Sequence, residues 1–122
     1  MTIKRDGRSD AFFDGAVRGE LVIRRCGECG EWYAPDAAGC TGCGAQKLEW
    51  ATAAGTGTLV SWAAVHSRGG GEAARIGLVE LPEGPWLQTA LADVDAPAEG
   101  LALRARFTPQ EEGEPLLEFV PA

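Results

Sequence analysis

Two Cys-x-x-Cys pairs constrain the fold of this chain more than any other feature of its sequence. The four cysteines are Cys26, Cys29, Cys40 and Cys43, with ten residues between the two pairs. Two intervening residues allow one tight turn to direct both sulfur atoms of a pair at a single ion. Gly30 and Gly44 follow the pairs, and glycine tolerates the positive φ that such a turn requires. The spacing therefore predicts one metal site built from both pairs.

The chemistry of these cysteines favours a structural zinc ion. Four thiolates arranged as a tetrahedron suit Zn²⁺, and a site closed by four protein ligands leaves no position for a substrate. A rubredoxin-like iron site, two disulfides or four free thiols are the alternatives. Residues 26–44 contain few large apolar side chains. We therefore expect metal ligation to replace a core here and to contribute on the order of 10 kcal/mol.

Basic side chains flank the cysteine segment. One zinc ion held by four thiolates carries a net charge of about −2. Arg24, Arg25 and Lys47 are near enough in the sequence to balance that charge. Solvated charges beside a strand are an equal alternative for each of them.

The remainder of the chain predicts a mainly β fold. Ser9-Asp10 is expected to cap a short helix, with Phe12, Phe13, Ala16 and Val17 on one face and a stop at Gly19. Strands are expected at residues 21–25 and 47–50 around the cysteines, then at 58–66, 75–81, 86–92, 101–107 and 116–120. Five strands after residue 54 fit a small OB-fold barrel. We divide the chain into a helix and zinc ribbon at 1–50 and an OB-fold barrel at 51–122.

Charge and hydropathy exclude several classes of protein. The chain has 11 basic and 18 acidic residues and a net charge of −7. Nucleic acids and acidic membrane surfaces both bind proteins through basic surface patches, so neither is expected as a partner of this acidic chain. No apolar run approaches the ~20 residues of a membrane span, and the first residues show no secretory signal. We expect a cytoplasmic protein.

The sequence does not provide a convincing catalytic site. His66 is the only histidine, and no spare cysteine or Gly-x-Ser-x-Gly serine accompanies it. Asp93 and Asp95 form a carboxylate pair, but they fall in a predicted turn, where Asp is common for backbone reasons. We therefore expect no catalysis by this chain alone.

Four arginines are weak candidates for contact with a phosphate. Arg68 and Arg75 flank the glycine-rich loop, which lacks the Lys and Ser/Thr of a phosphate-binding loop. Arg104 and Arg106 share one face of a predicted strand. Keeping that strand soluble is the simpler interpretation of the second pair.

Short stretches along nearly the whole chain carry a family resemblance: residues 12–15, 19–21, 25–30, 32–33, 40–44, 48–50, 55–59, 77–84, 100–101 and 119–121. Together with the order of helix, four-cysteine ribbon and OB barrel, they resemble the DUF35 proteins, the OB-fold acyl-CoA-associated zinc-ribbon family. The chain departs from the family pattern at Thr41, in the loop at 69–72 and at Ala74 and Arg75. The combination of the cysteines with Glu49-Trp50 and with the Gly-x-Gly-Thr start of the barrel is more specific than the cysteines alone.

The resemblance implies a non-catalytic accessory subunit. Such proteins accompany thiolase-like enzymes, hydratases or aldolases that act on acyl-CoA thioesters, and they complete or stabilise the complex, so a hetero-oligomer is expected. One alternative is an acyl-CoA-binding module whose barrel holds the adenosine-phosphate end of CoA. Another is a nucleic-acid-binding ribbon–OB protein, which the acidic charge disfavours.

Four aromatic rings are predicted to form the partner interface. They are Phe12, Phe13, Trp32 and Tyr33, which lie in or beside the short helix and the ribbon. Because elements of this size cannot bury so many rings by themselves, we expect an exposed apolar patch that an enzyme subunit covers.

Overall fold

The computed structural model describes residues 4, 6–66, 68–70 and 72–122. Its elements within this part of the chain are α1 Asp10–Val17, β1 Val22–Cys26, β2 Trp32–Tyr33, β3 Leu48–Thr52, β4 Thr56–His66, β5 Glu72–Glu80, β6 Trp86–Leu91, β7 Ala102–Thr108 and β8 Leu116–Pro121. The prediction of a mainly β protein with one short N-terminal helix is confirmed. No helix among the described residues has the length and hydropathy to cross a membrane.

Helix α1 begins and ends without help from a side-chain cap. Ser9 occupies the N-cap position, but its hydroxyl accepts a hydrogen bond from the Asp6 amide rather than capping the helix. The helix stops where Gly19 adopts a φ of 78° and the Glu20 amide donates to the Gly15 carbonyl at 2.8 Å. The predicted stop at Gly19 is therefore confirmed.

The buried face of α1 is narrower than predicted. Phe13 and Ala16 are buried, whereas Val17 is 71% exposed, so its placement on the buried face is wrong. A Cβ added to Gly15 would lie 2.4 Å from Cγ2 of Val22 on β1. The helix therefore rests on β1 along the side that contains Gly15, and the 100° step from Ala16 turns Val17 towards solvent.

Strands β1, β2 and β3 form the antiparallel sheet of the ribbon, in the order β2-β1-β3. Arg24 pairs with Tyr33 on one side of β1, and Cys26 pairs with Leu48 on the other. The predicted domain boundary between residues 50 and 51 falls inside β3. The division into two domains stays a prediction.

The last five strands close into a barrel in the order β4-β5-β6-β8-β7. Neighbouring strands are antiparallel except β6 and β8, which run parallel. All five predicted strands are present, and β5 begins three residues earlier than expected. The barrel has the five strands of an OB-fold, as predicted.

One apolar core joins the ribbon sheet to the barrel. Leu21 and Ile23 beside the ribbon belong to the same buried cluster as Leu59, Leu103 and Phe119 of the barrel. Phe12 of α1 meets Phe107 of β7 edge to face, with ring centroids 6.0 Å apart. The N-terminal elements therefore use the barrel as part of their core.

Candidate metal centre

The first cysteine pair lies on a tight turn after β1. The Cys26 amide donates to the Glu31 carbonyl at 2.8 Å, and the Gly30 amide donates to the Cys26 carbonyl at 2.9 Å. Gly30 has a φ of 79°, which a residue with a side chain rarely adopts. The turn brings both sulfur atoms of the pair to one side of the chain.

The second pair repeats this geometry although no strand precedes it. The Cys40 amide donates to the Ala45 carbonyl at 2.8 Å, and the Gly44 amide donates to the Cys40 carbonyl at 3.1 Å. Gly44 has a φ of 81°. Equivalent hydrogen bonds and equivalent glycines thus make two matching turns, as the Cys-x-x-Cys-Gly repeats predict.

The four sulfur atoms converge on one point. All lie within 4.8 Å of one another, and the Sγ···Sγ distances are 3.6 Å for Cys26–Cys43 and 3.5 Å for Cys29–Cys40. A tetrahedral ion with Zn–S bonds of ~2.3 Å separates its ligands by about 3.8 Å, so the residues present fit a zinc ion. All four cysteines are free, so the disulfide alternative is wrong.

Hydrogen bonds distribute charge unevenly over the four thiols. The pKa of Cys40 is lowered to about 6, first by the Tyr33 hydroxyl and then by the Cys43 amide, because both stabilise the thiolate. The Ala45 amide also favours the thiolate of Cys43, yet its pKa rises to about 12 because the sulfur atoms of Cys26 and Cys40 adjoin it. Four adjacent thiolates repel one another, and a divalent cation between them relieves that repulsion.

Tyr33 supports the site directly. Its hydroxyl lies 3.1 Å from Sγ of Cys40 and accepts a hydrogen bond from the Gly42 amide at 3.3 Å. The sequence predicts Tyr33 at a partner interface and does not predict this role. The available signal was a hydroxyl-bearing ring seven residues before Cys40, but only the pairing of β2 with β1 places it over the second turn.

The two arginines of β1 lie on opposite faces of the ribbon sheet. The Arg25 guanidinium stacks over Trp32 at 5.4 Å, and its Nε donates to the Gly30 carbonyl at 3.4 Å, beside the first cysteine turn. Arg24 stacks over Trp50 at 4.5 Å instead. Both guanidinium groups stack on a ring. Arg25 also contacts the first cysteine turn, so it is the candidate counter-charge beside the metal site.

The four predicted interface rings pack within the chain. Phe13 is buried, and Phe12 and Trp32 are half-buried against the main core. Tyr33 is half-buried against the small cluster of Cys26, Cys40 and Leu48. None of the four rings is among the exposed large apolar side chains of the described residues. A role for the rings in partner binding stays a prediction.

Two of the four candidate arginines already have partners in the barrel. Arg75 donates from Nη1 to the Val94 carbonyl. Arg106 forms ion pairs with Asp93 at 3.0 Å and with Glu118 at 3.3 Å, and these raise the pKa of its guanidinium. Arg68 and Arg104 are exposed. Phosphate contact by these residues stays a prediction.

His66 and the two aspartates lie where the sequence placed them. His66 is exposed at the end of β4. Asp93 adopts a φ of 58° in the connection after β6, and its carboxylate accepts a hydrogen bond from Arg106. Asp95 is exposed in the same connection.

Known proteins place this combination of ribbon and barrel in one family. Residues 13–49 match the rubredoxin-like zinc ribbon domain of ChsH2, and residues 50–108 match the C-terminal OB-fold domain of ChsH2. A chain of the solved Ltp2-ChsH2(DUF35) aldolase is 27% identical, with a TM-score of 0.81 and 96% of each chain covered. The chain belongs to the DUF35 family.

A second solved DUF35 protein, of unknown function and from Sulfolobus solfataricus, has the same fold. It is 17% identical, with a TM-score of 0.68, and the match covers 95% of this chain and 86% of that one. No protein of curated function matches this chain.

The cofactor of this DUF35 protein is one structural zinc ion. The matched ribbon domain is a zinc ribbon, and the chain presents four cysteines whose sulfur atoms are close enough to share one ion. Zinc is therefore favoured over the iron alternative, and four cysteine ligands leave the ion no open position for a substrate.

Proposed function

We propose that this DUF35 protein is a non-catalytic accessory subunit that binds an enzyme of the aldolase, thiolase-like or hydratase class and completes or stabilises it. The similarity to a chain of the Ltp2-ChsH2(DUF35) aldolase carries the proposal, because it extends over 96% of both chains.

The chemistry of the side chains supports an accessory role. We assign Cys26, Cys29, Cys40 and Cys43 as the zinc ligands, which leaves no thiol available as a nucleophile. His66 is exposed at a hairpin end, where water reaches it. The Asp93 carboxylate is already engaged in an ion pair with Arg106 at 3.0 Å.

An acyl-CoA thioester is the substrate class that we propose for the assembled enzyme. This part rests on the resemblance to the acyl-CoA-associated DUF35 proteins. A site for CoA on this chain alone has less support, because Arg75 and Arg106 are already engaged within the barrel. We therefore place the reacting thioester on the partner and the zinc ribbon outside the chemistry.

The test is capture of the enzyme followed by an activity measurement. The tagged full chain is expressed in its source organism, and co-purifying proteins are identified by mass spectrometry. The expected result is one dominant subunit of the aldolase, thiolase-like or hydratase class. That subunit, expressed alone, should be less soluble or less active towards acyl-CoA thioesters than when it is co-expressed with this chain.

Two controls make the outcome decisive. The isolated chain should show no turnover of acyl-CoA thioesters, and turnover by the zinc-loaded chain would overturn the non-catalytic role. Capture of proteins from other classes only, with no aldolase, hydratase or thiolase-like subunit among them, would overturn the accessory role.

A further inference from the structure

An uncharged face lies on the outside of the barrel, across β4, β5 and β6. The register aligns Ala63, Ile76 and Ala90 on one rung, and it pairs Val65 with Ala74 on the rung nearer the hairpin tip. Cross-strand partners lie on the same side of a sheet. Val65 is 42% exposed, so apolar surface extends to the tip side of this face.

The face continues towards the other end of the barrel. Ser61, Leu78 and Gln88 form the next outward-facing rung. Trp86 on β6 lies on the outward-facing rung beyond it and is 52% exposed. Val79 alternates with these residues and is buried in the core, which shows that they point outward. We call this surface the outer β4–β6 face; its apolar members are Ala63, Val65, Ile76, Leu78, Trp86 and Ala90.

A β-bulge creates this face. Leu59 on β4 is buried, and regular alternation would turn Ser61, Ala63 and Val65 inward with it. The register between β4 and β5 shifts between Leu59 and Ser61, and the extra residue turns these side chains outward instead. The apolar residues therefore reach solvent through a specific feature of the backbone.

The adjoining edge of β4 is also uncovered. Strand β7 pairs with β4 only at residues 56–58, and the next backbone hydrogen bonds on that side join Leu59 to Leu101 and Gly100. From Val60 to His66, the register pairs β4 only with β5 within the part of the chain that the structure describes. An apolar edge strand without a neighbour promotes aggregation unless a partner covers it.

The size of the face fits the centre of a protein interface. Seven residues of β5 span about 20 Å, and three strands span about 14 Å, which gives on the order of 300 Å². A stable interface buries roughly 800 Å² on each partner, with an apolar centre and a polar rim. The rim here contains Glu80 beside Trp86 and the exposed Arg68 at the hairpin tip.

We propose that the outer β4–β6 face docks the enzyme subunit, an inference that rests on the proposed function. The partner surface is apolar at its centre, with a basic group opposite Glu80 and an acidic group opposite Arg68. A second copy of this chain is the weaker occupant, because its net charge of −7 would add to the same charge on the first copy.

The test measures binding of the purified enzyme subunit, obtained by co-purification with the wild-type chain, to three variants. Ile76→Glu and Trp86→Glu place a charge at the centre and at one end of the face, and each should weaken binding by roughly 30-fold or more. Val17→Glu is the matched control, because Val17 is an exposed apolar residue on α1. It should bind as the wild type does.

Folding is checked by zinc content and circular dichroism, and Trp86→Glu serves if Ile76→Glu fails to fold. Hydrogen exchange of the wild-type complex should show new protection of β4 between residues 60 and 66.

Equal binding by wild type and Trp86→Glu overturns this face while leaving the accessory role intact. A wild-type homodimer that Trp86→Glu dissociates assigns the face to a second copy and also overturns the proposal. If the wild type binds no enzyme subunit, both proposals fail.

Discussion

The ribbon and the barrel are held together by different forces. Among the described residues, the cluster around the metal site has Cys26, Cys40 and Leu48 as its buried apolar members. The barrel cluster contains eleven buried residues, among them Leu59 and Phe119. The barrel can therefore be stabilised by burial of apolar surface, whereas the cysteine turns depend on a metal ion.

The contrast explains how so short a chain keeps two kinds of structure. A zinc site fixes a segment that is too small to bury a core, and Leu21 and Ile23 connect that segment to the barrel core. Zinc removal should therefore be felt first in the ribbon, at the cysteine turns and in β1–β3, and only later in the barrel.

The largest expected effect is the loss of the ribbon when one ligand is removed. Cys40→Ser should remove stabilisation on the order of 10 kcal/mol from the segment, since a structural zinc contributes about that much. Elemental analysis after dialysis against a chelator should give less than one zinc for every ten chains. Hydrogen exchange should show lost protection in β1–β3 and retained protection in β4–β8.

Thr41→Ser is the control for Cys40→Ser, since it changes the residue next to the ligand and keeps its hydroxyl. This variant should retain one zinc ion per chain. A Cys40→Ser chain that also retains one zinc ion under the same dialysis would show that the site does not need this ligand.

The second largest effect is expected in the barrel, when one side chain of its apolar core is truncated. Phe119 is fully buried, and Phe119→Ala should lower the free energy of unfolding by about 3–5 kcal/mol because it leaves a cavity. Thermal denaturation followed by circular dichroism measures the loss. Val17→Ala changes an exposed position and should unfold at the same temperature as the wild type. A loss below 1 kcal/mol for Phe119→Ala would mean that burial of this ring contributes little to the stability of the barrel.

The third effect concerns the joint between α1 and β1. A Cβ on Gly15 would lie 2.4 Å from Cγ2 of Val22 and 3.1 Å from the Glu20 carbonyl oxygen. Gly15→Ala should thus destabilise the chain by about 1–3 kcal/mol, partly offset by ~1 kcal/mol of improved helix propensity. Urea denaturation measures the difference.

Gly7→Ala is the comparison for Gly15→Ala, because nothing lies within 4 Å of a Cβ at Gly7. It should change the free energy of unfolding very little. If Gly15→Ala is instead more stable than the wild type, helix propensity outweighs the contact and α1 does not press on β1.

Local signals predicted the elements of both regions except the two-residue strand β2. The cysteine spacing located both turns, and alternation of apolar residues located all five barrel strands. These features depend on neighbours in the sequence, which is why one sequence was sufficient. The burial of Phe12 depends instead on Phe107, which lies 95 positions away in a different part of the fold.

The outer β4–β6 face was not predictable for a related reason. Alternation alone places Ala63 and Val65 on the same side as Leu59, and only the bulge reverses them. A bulge changes one backbone position without a specific residue type in this strand, so the sequence contains no signal for it. The register between β4 and β5 was required to recognise it.

The smallest expected effect is on zinc affinity, when the hydroxyl group of Tyr33 is removed. Tyr33 is the side chain from β2 that touches a zinc ligand, and its hydroxyl lies 3.1 Å from Sγ of Cys40. A zinc-bound thiolate only accepts hydrogen bonds, so the hydroxyl donates to it.

Tyr33→Phe should weaken zinc binding about 10-fold without altering the fold, as loss of such a supporting contact typically does. Competition with a chromophoric chelator measures the change. Thr41→Val removes a hydroxyl 3.5 Å from Tyr33 and should leave zinc affinity unchanged; equal affinities for wild type and Tyr33→Phe would reduce Tyr33 to a packing role.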